Sequence, residues 1–213
     1  EAKNNFAETL SKTLLKTLKL LPKNEALLNV HFPQNQELLA RAQYRLKFEE
    51  LFYIQLQLIR KNILHKSKIK GYPFPKVGEY FNTFFKEQLP FTLTDAQKRV
   101  IKEIRNDLGS KAQMNRLLQG DVGSGKTIVA LMSMLIALDN GFQACLMAPT
   151  EILSVQHYNG LFELCNKLNL SIYILTGSTK TSDRKTIHKK LENGEINILI
   201  GTHALLEDKV KFK

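Results

Sequence analysis

The period of apolar and polar positions changes near residue 91, and this change divides the chain into two regions. Before it, apolar residues recur at helical spacing over residues 36–60, with Asn35 as a candidate N-cap. An aromatic stripe over residues 77–85 has the same spacing, and Pro90 ends it. We interpret the stripe as a buried helix face rather than a base-stacking platform. The pattern predicts a mainly helical region over residues 1–90, in which residues 1–26 could not be assigned to an element.

After residue 91, short apolar runs alternate with helical patterns. The predicted strands are residues 114–119, 143–148, 171–175 and 196–200. The predicted helices are residues 94–108, 126–138, 152–168 and 182–192, with turns at Asn140-Gly141 and Asn193-Gly194. Strands and helices that alternate at this spacing favour an α/β fold, with a parallel sheet covered by helices on both faces. We therefore predict one α/β domain over residues 91–213.

Residues 60–76 are strongly basic, and we interpret them as a linker or loop and as the break between the regions. They contain six basic residues and no acidic one, together with Gly71 and two prolines. The basic residues are Arg60, Lys61, Lys66, Lys68, Lys70 and Lys76. A solvated connector and a DNA contact both explain the stretch.

Composition narrows the class of protein. The 213 residues carry a net charge of +11, which indicates either a nucleic-acid partner or a lysine-rich surface that keeps the chain in solution. An apolar content of 43% excludes a disordered tail, and no apolar run is long enough for a membrane span. The start is too charged for a signal peptide and lacks Met, so we expect a fragment of a longer protein. Cys145 and Cys165 are expected as core residues in a reducing compartment.

A phosphate-binding loop is the strongest motif in the sequence. Residues 120–127 match the pattern GxxxxGK[ST] between an apolar strand and an apolar helix, which is the setting that the motif requires. Its glycines let the backbone approach a ligand closely, and the N–H groups of the next helix face the same point. Lys126 is expected near the β and γ phosphates, and the Thr127 hydroxyl is expected to bind Mg²⁺. The predicted nucleotide-binding residues of the loop are Gly120, Asp121, Val122, Gly123, Ser124, Gly125, Lys126 and Thr127.

The segment upstream of the loop bears on which nucleotide is bound. Gln97, in the run FTLTDAQ, resembles the residue with which superfamily 2 helicases read adenine, and the resemblance adds Phe91 to the nucleotide site. Thr94 and Gln97 also form a candidate capping box at the start of a helix. The two roles of Gln97 are compatible.

Three further segments follow predicted strands and resemble helicase motifs Ia, Ib and Ic. The carboxyl ends of parallel strands are where open α/β sheets bind ligands, and small hydroxyl residues there suit phosphate contacts. Each segment alone would also be explained as an ordinary capped turn. The predicted nucleic-acid-binding residues are Pro149, Thr150, Glu151, Thr176, Gly177, Ser178, Gly201, Thr202 and His203.

The runs GDVGSGKT, LMAPTEIL and GTHALL, with AQYRLKFEELFYIQLQL before them, resemble the RecG family of ATP-dependent DNA helicases over residues 27–213. The resemblance implies a RecA-like first motor domain over residues 91–213, preceded over residues 1–90 by the end of a wedge domain and a helical linker. It also implies ATP and Mg²⁺ as cofactors and branched double-stranded DNA as substrate, in recombination and repair. Single-strand-binding protein is a candidate partner, and we expect a monomer in the bacterial cytoplasm.

Other readings stay open at this point. A transcription-repair coupling factor shares much of the same motif run, and the chain could instead be a DNA-binding module without catalysis or another P-loop NTPase. The family's Asp-Glu acid box does not occur in these residues, because the acidic pair at Glu207 and Asp208 lacks the apolar strand that precedes an acid box. The family's second motor domain does not occur in them either. We therefore expect the 213 residues alone to bind nucleotide weakly and not to hydrolyse it.

Overall fold

The structure, a computed structural model, describes residues 6–213 except the side chains of residues 65–67. It consists of two compact units, one up to Lys68 and one over Ile69–Lys213. The break falls inside the basic stretch, whereas the predicted domain boundary lies at residues 90 and 91. The first five residues of the predicted region 1–90 and the Lys66 side chain lie outside the described residues.

The first unit is helical. Its helices are α1 (Lys12–Thr17), α2 (Lys23–His31) and α3 (Gln36–Lys68). The Leu38 N–H donates to Asn35 Oδ1 at 2.8 Å, so the predicted cap is confirmed. Helix α3 ends eight residues beyond the predicted residue 60, so the prediction of a loop from Arg60 was wrong. Arg and Lys are good helix formers, and the first Gly and Pro of the stretch come only after the helix has ended.

A buried arginine organises this unit. The Arg45 side chain is fully buried, and its Nε donates to the Leu21 carbonyl at 3.0 Å. Its guanidinium pairs with Glu8 at 2.7 Å and with Glu49 at 2.5 Å. Burial raises the pKa of each carboxyl, but hydrogen bonds from nearby backbone and side-chain donors, Arg45 among them, outweigh burial and lower both pKa values below 4.5. The folded unit therefore favours the ionised form of both carboxyls.

The first helix of the second unit packs against the core beside the sheet. Helix α4 (Glu79–Thr83) continues as a π-helical turn over Phe84–Gln88, which ends before Pro90. Phe84 is fully buried and Tyr80 and Phe81 pack against the same core, so the interpretation of the stripe as a packing face is confirmed. Phe85 is exposed.

A three-stranded parallel sheet lies at the centre of the second unit. Its strands are β1 (Ala144–Met147), β2 (Ile172–Leu175) and β3 (Ile198–Gly201), in the spatial order β1-β3-β2. Its helices are α5 (Asp95–Leu108), α6 (Lys126–Asp139), α7 (Glu151–Lys167), α8 (Thr181–Glu192) and a short 3₁₀ helix, His203–Leu206. Gly141 and Gly194 take positive φ in the turns predicted for them. The parallel α/β fold is confirmed.

The two faces of the sheet carry different helices. Ile198 and Ile200 of β3 face the core formed with α5, α6 and α7, whereas Leu199 faces α8 and the 3₁₀ helix. Helix α8 packs over β2, so the matching face of β1 has little cover. Cys145 and Met147 lie on that face and are exposed. The prediction that Cys145 is a core residue was therefore wrong, while Cys165 is buried as predicted.

Residues 114–119 do not form the predicted strand. Among the described residues they have no ladder partner, and Leu117 is 85% exposed. An apolar run becomes a strand only when a neighbouring strand satisfies its backbone groups.

Of the described residues, none belongs to a helix long and apolar enough to cross a membrane.

We expect Arg45→Met to lower the free energy of unfolding of the first unit by about 3 kcal/mol, because it leaves two carboxylates without their buried partner. Hydrogen exchange of α2 and α3 measures this loss. Because the folded-state pKa values of Glu8 and Glu49 are lowered, the stabilisation is present above pH 4.5 and is lost as pH falls through the folded values. Arg45→Met should weaken this acid sensitivity.

Arg41→Met is the matched control, since Arg41 lies one turn earlier on α3 and is exposed. Equal protection of α2 and α3 in the two variants would contradict a stabilising role for the buried guanidinium. Helices α6 and α7 belong to the other compact unit and serve as the internal reference.

The two thiols should differ in reactivity. We expect a disulfide reagent at pH 8 to modify Cys145 in the folded protein and Cys165 only after unfolding, because Cys145 is exposed and Cys165 is fully buried. Burial raises the pKa of both thiols, that of Cys165 to about 11, so the reaction at Cys145 should also be slower than that of a free thiol. Absorbance of the released thiolate counts the reactive groups. Cys145→Ser should abolish the modification of the folded protein, and two fast thiols in the unaltered chain would contradict the assignment.

Candidate nucleotide site and nucleic-acid interface

The phosphate loop joins the extended segment 114–119 to α6. Gly123 and Gly125 take φ values of +81° and +79°, a region that L side chains rarely adopt. Gly125 is the N-cap of α6, and no described side chain caps the first turn. The N–H groups at the start of α6 therefore remain available to an anion at the loop, where the helix dipole is positive.

Lys126 and Thr127 open α6 at the loop. The Lys126 Nζ donates to the carbonyl oxygens of Gly120 and Asp121, both at 2.7 Å. These contacts hold the ammonium over the concave side of the loop. Thr127 is half-buried beside it, and Val122 at the loop tip is fully exposed.

Gln97 connects the start of α5 to the phosphate loop. Its side-chain Oε1 accepts from the Thr94 backbone N–H at 2.8 Å, and the Gln97 backbone N–H donates to Thr94 Oγ1 at 3.2 Å. The predicted capping box is therefore confirmed. Its Nε2 donates to the Ser124 carbonyl at 2.8 Å. A side chain at Gly125 would meet Gln97 Nε2 at 2.5 Å and the ring of Phe91 at 3.7 Å. The structure therefore brings Phe91 and Gln97 to the predicted loop.

A cavity of about 290 Å³ lies between α5 and the loop. Its lining residues are Thr94, Ala96, Gln97, Val100, Leu118, Gln119, Gly120, Asp121, Ser124, Lys126 and Val129. The lining combines apolar side chains with the Gln97 amide and the Lys126 ammonium. That combination suits a ligand that has both a flat ring and an anionic group.

The strand ends form a second candidate site. Met147 and Leu175 both pair with Gly201, so β1, β2 and β3 end at one edge of the sheet. Thr150 caps α7 through a bond from the Leu153 N–H at 3.3 Å. The Glu151 carboxylate then reaches across to the end of β2.

Glu151 accepts hydrogen bonds from two residues of the predicted Ib segment. The Thr176 hydroxyl donates at 3.0 Å, and the Ser178 hydroxyl donates to the same oxygen. Thr176 is also bonded through its N–H to Thr179 Oγ1 at 2.9 Å. The Glu151 carboxylate, which the sequence predicts as a DNA contact, ties two of the loops together.

Sequence reasoning missed Arg184, which ties the second loop to the third. Its Nη2 donates to the Thr176 carbonyl at 2.8 Å, and its Nη1 donates to both Glu207 oxygens at 2.9 and 3.0 Å. Arg184 precedes Ile187 and Leu191 at helical spacing, and both are buried. A basic residue on the inner face of a helix was the available signal.

The predicted DNA contacts divide by exposure. Thr176, Gly201 and Thr202 are buried, and a side chain at Gly201 would clash with the Leu175 carbonyl. These residues shape the edge of the sheet rather than present a side chain to solvent. The exposed members are Pro149, Thr150, Glu151, Gly177, Ser178 and His203.

Comparisons with known proteins give the family. The model of the DEAD/DEAH box helicase family matches residues 94–213. The chain is 44% identical over 208 residues to the ATP-dependent DNA helicase RecG of Synechocystis sp., covering 98% of this chain and 25% of the relative. It is 46% identical to RecG of Thermotoga maritima and 42% identical to RecG of Bacillus subtilis, covering 26% and 31% of those proteins.

A solved structure of RecG bound to a three-way DNA junction has the same fold. It superposes with a TM-score of 0.81 at 44% identity, over 98% of this chain and 28% of that one. The resemblance to RecG that the motifs suggest is confirmed, although the chain spans only about a quarter to a third of its relatives. By the match over residues 94–213, the chain belongs to the DEAD/DEAH box helicase family.

Proposed function

We propose that this chain is part of an ATP-dependent DNA helicase that remodels branched DNA, such as stalled forks and Holliday junctions, in recombination and repair. The observation that carries the proposal is the similarity, over nearly the whole chain, to RecG on a three-way junction. Because the chain covers about a quarter of its relatives, this activity belongs to the complete protein. Residues 1–90 would be the end of a wedge domain and its linker, and residues 91–213 the start of the first motor domain.

The loop residues fit a nucleotide that ends in phosphates. The left-handed glycines, the uncapped start of α6 and the Lys126 ammonium all favour an anion at this point. On ATP binding, Lys126 would exchange its two carbonyl contacts for phosphate oxygens and stabilise negative charge in the transition state. The Thr127 hydroxyl would hold Mg²⁺, which neutralises phosphate charge when bound.

Gln97 is suited to selecting adenine. An amide has two donor hydrogens and two acceptor lone pairs, and the bonds to Thr94 and Ser124 use one of each. The remaining donor and acceptor match the adjacent acceptor and donor of an adenine edge. Phe91, which is partly exposed beside the loop, would pack against the base.

The three strand ends would contact the sugar–phosphate backbone of DNA. Exposed Thr150, Gly177, Ser178 and His203 offer hydroxyl, backbone and imidazole groups there. The Glu151 carboxylate would repel phosphate, so we assign it the role of holding Thr176 and Ser178 in place. The proposal includes single-strand-binding protein as a partner, a monomeric state and a cytoplasmic location.

The decisive experiment measures ATP hydrolysis by the complete protein at one salt concentration, without DNA, with linear duplex and with a model fork. We expect the fork to stimulate hydrolysis more than the duplex does, because a wedge engages only at a branch. Equal stimulation by the two DNAs would contradict specificity for branched DNA.

Lys126→Ala should lower fork-stimulated hydrolysis by about 100-fold, as expected for loss of one group that stabilises transition-state charge. Lys12→Ala, an exposed lysine on α1, is the control. Near-normal turnover by Lys126→Ala would refute the site assignment.

The 213 residues alone should bind a fluorescent ATP analogue weakly and should show no steady turnover. Steady hydrolysis by these residues that is abolished by Lys126→Ala would contradict that expectation.

Two variants separate the roles of Gln97. Gln97→Glu keeps a capping oxygen for Thr94 but removes the amide donor, so it should lower the preference for ATP over GTP. Thr94→Ala removes the cap and should destabilise α5 by about 1 kcal/mol while keeping that preference. Competition of GTP against ATP in the complete protein measures both. Unchanged selectivity in Gln97→Glu would rule out adenine reading by this side chain.

A further inference from the structure

The end of α6 farthest from the phosphate loop binds residues 76–81, which lie early in the second compact unit, soon after the break at Lys68. The Asp139 carboxylate accepts three backbone hydrogen bonds, from the N–H groups of Gly78 at 2.8 Å, Tyr80 at 3.0 Å and Phe81 at 3.2 Å. Three N–H donors on one carboxylate form a strong, charge-assisted set. They fix the start of α4 to the end of α6.

Asn140 extends the same attachment. Its Oδ1 accepts from the Lys76 N–H at 3.1 Å, and its Nδ2 donates to the Lys76 carbonyl at 2.9 Å. The Asn140 amide therefore bonds both the backbone N–H and the backbone carbonyl of Lys76. Together the two side chains make five hydrogen bonds to residues 76–81.

The attachment is tight. A side chain at Gly78 would lie 2.8 Å from the Asp139 carboxylate oxygen, so the backbone touches the carboxylate directly. Upstream, the segment is held at a different place, because the Gly71 N–H donates to the Lys111 carbonyl and the Phe74 N–H to the Leu108 carbonyl. Asp139 and Asn140 thus add polar contacts to the apolar packing that links the segment to α6 itself.

Helix α6 is built to transmit displacement. It runs without interruption for 14 residues, about 20 Å, from Lys126 in the phosphate loop to Asp139. Eight of its side chains are buried, and a closely packed interior transmits strain. A shift at the phosphate end would therefore be passed to residues 76–81 through the Asp139 and Asn140 bonds.

We propose that Asp139 and Asn140 are positioning residues that couple the nucleotide site to residues 76–81, the segment that leads from the break at Lys68 into α4. The inference rests on the proposed function, since it assigns these residues a part in converting ATP hydrolysis into work on branched DNA. Neither residue lies in the phosphate loop or among the predicted DNA contacts. Their loss should change the yield of unwinding per ATP more than the hydrolysis rate.

The test uses the complete protein with Asp139→Asn, which keeps the shape of the side chain but removes the charge and one acceptor oxygen. Fork unwinding and ATP hydrolysis are measured in the same reaction. We expect hydrolysis within about twofold of wild type and a fall of about fivefold in base pairs unwound per ATP, which is the size of effect that coupling networks show. Gly78→Ala, which forces the same contact apart from the other side, should give the same result.

Asp208→Asn is the matched control, because Asp208 is exposed and makes no hydrogen bond that the described residues show. An unchanged yield per ATP in both test variants would overturn the inference. A proportional fall in hydrolysis and unwinding, together with a lower melting temperature, would also overturn it, because that pattern indicates a purely structural role. If wild-type protein hydrolyses ATP without unwinding forks, the proposed function itself fails.

Discussion

The burial of α6 is the packing constraint on which the second unit depends. The helix packs against α4, α5 and β1 at once, and its apolar side chains form part of the core that lies between α5, α7 and the sheet. Since apolar residues surround it, its two ends are the places where it can make specific polar contacts. The start carries the phosphate loop, and the end carries Asp139 and Asn140.

The sheet edge solves a different problem, which is how to align three loops that come from distant parts of the chain. Short-range caps such as Thr150 fix each loop separately, but they do not set the spacing between loops. Glu151 and Arg184 do so with bonds across strand ends: Glu151 accepts from two hydroxyls of the second loop, and Arg184 joins that loop to Glu207 by an ion pair. An edge that is rigid before a ligand arrives keeps its hydroxyl groups in register.

The sequence predicted the elements whose signals are local. Strands β1 to β3, helices α5 to α8 and the capping box at Thr94 all follow from short-range pattern and appear as expected. The errors concern environment. Residues 114–119 have the apolar content of a strand but lack a neighbour, and Cys145 lies on a strand face that α8 leaves open. Basic residues such as those after residue 60 occur in solvated helices as well as in loops, so charge alone could not locate the end of α3.

The bonds of Gln97 have a consequence for conformational entropy. A free glutamine side chain samples many rotamers, and fixing it costs up to about 2 kcal/mol. In this protein the capping box and the Ser124 carbonyl already hold the amide, so folding has ordered it before any ligand binds. For the adenine role proposed above, the base would meet an amide whose orientation is already set. More of the free energy of each new hydrogen bond would then contribute to affinity, because the side chain has already lost its conformational entropy. A competing base with the reversed order of donor and acceptor could not be accommodated by a simple rotation of the side chain.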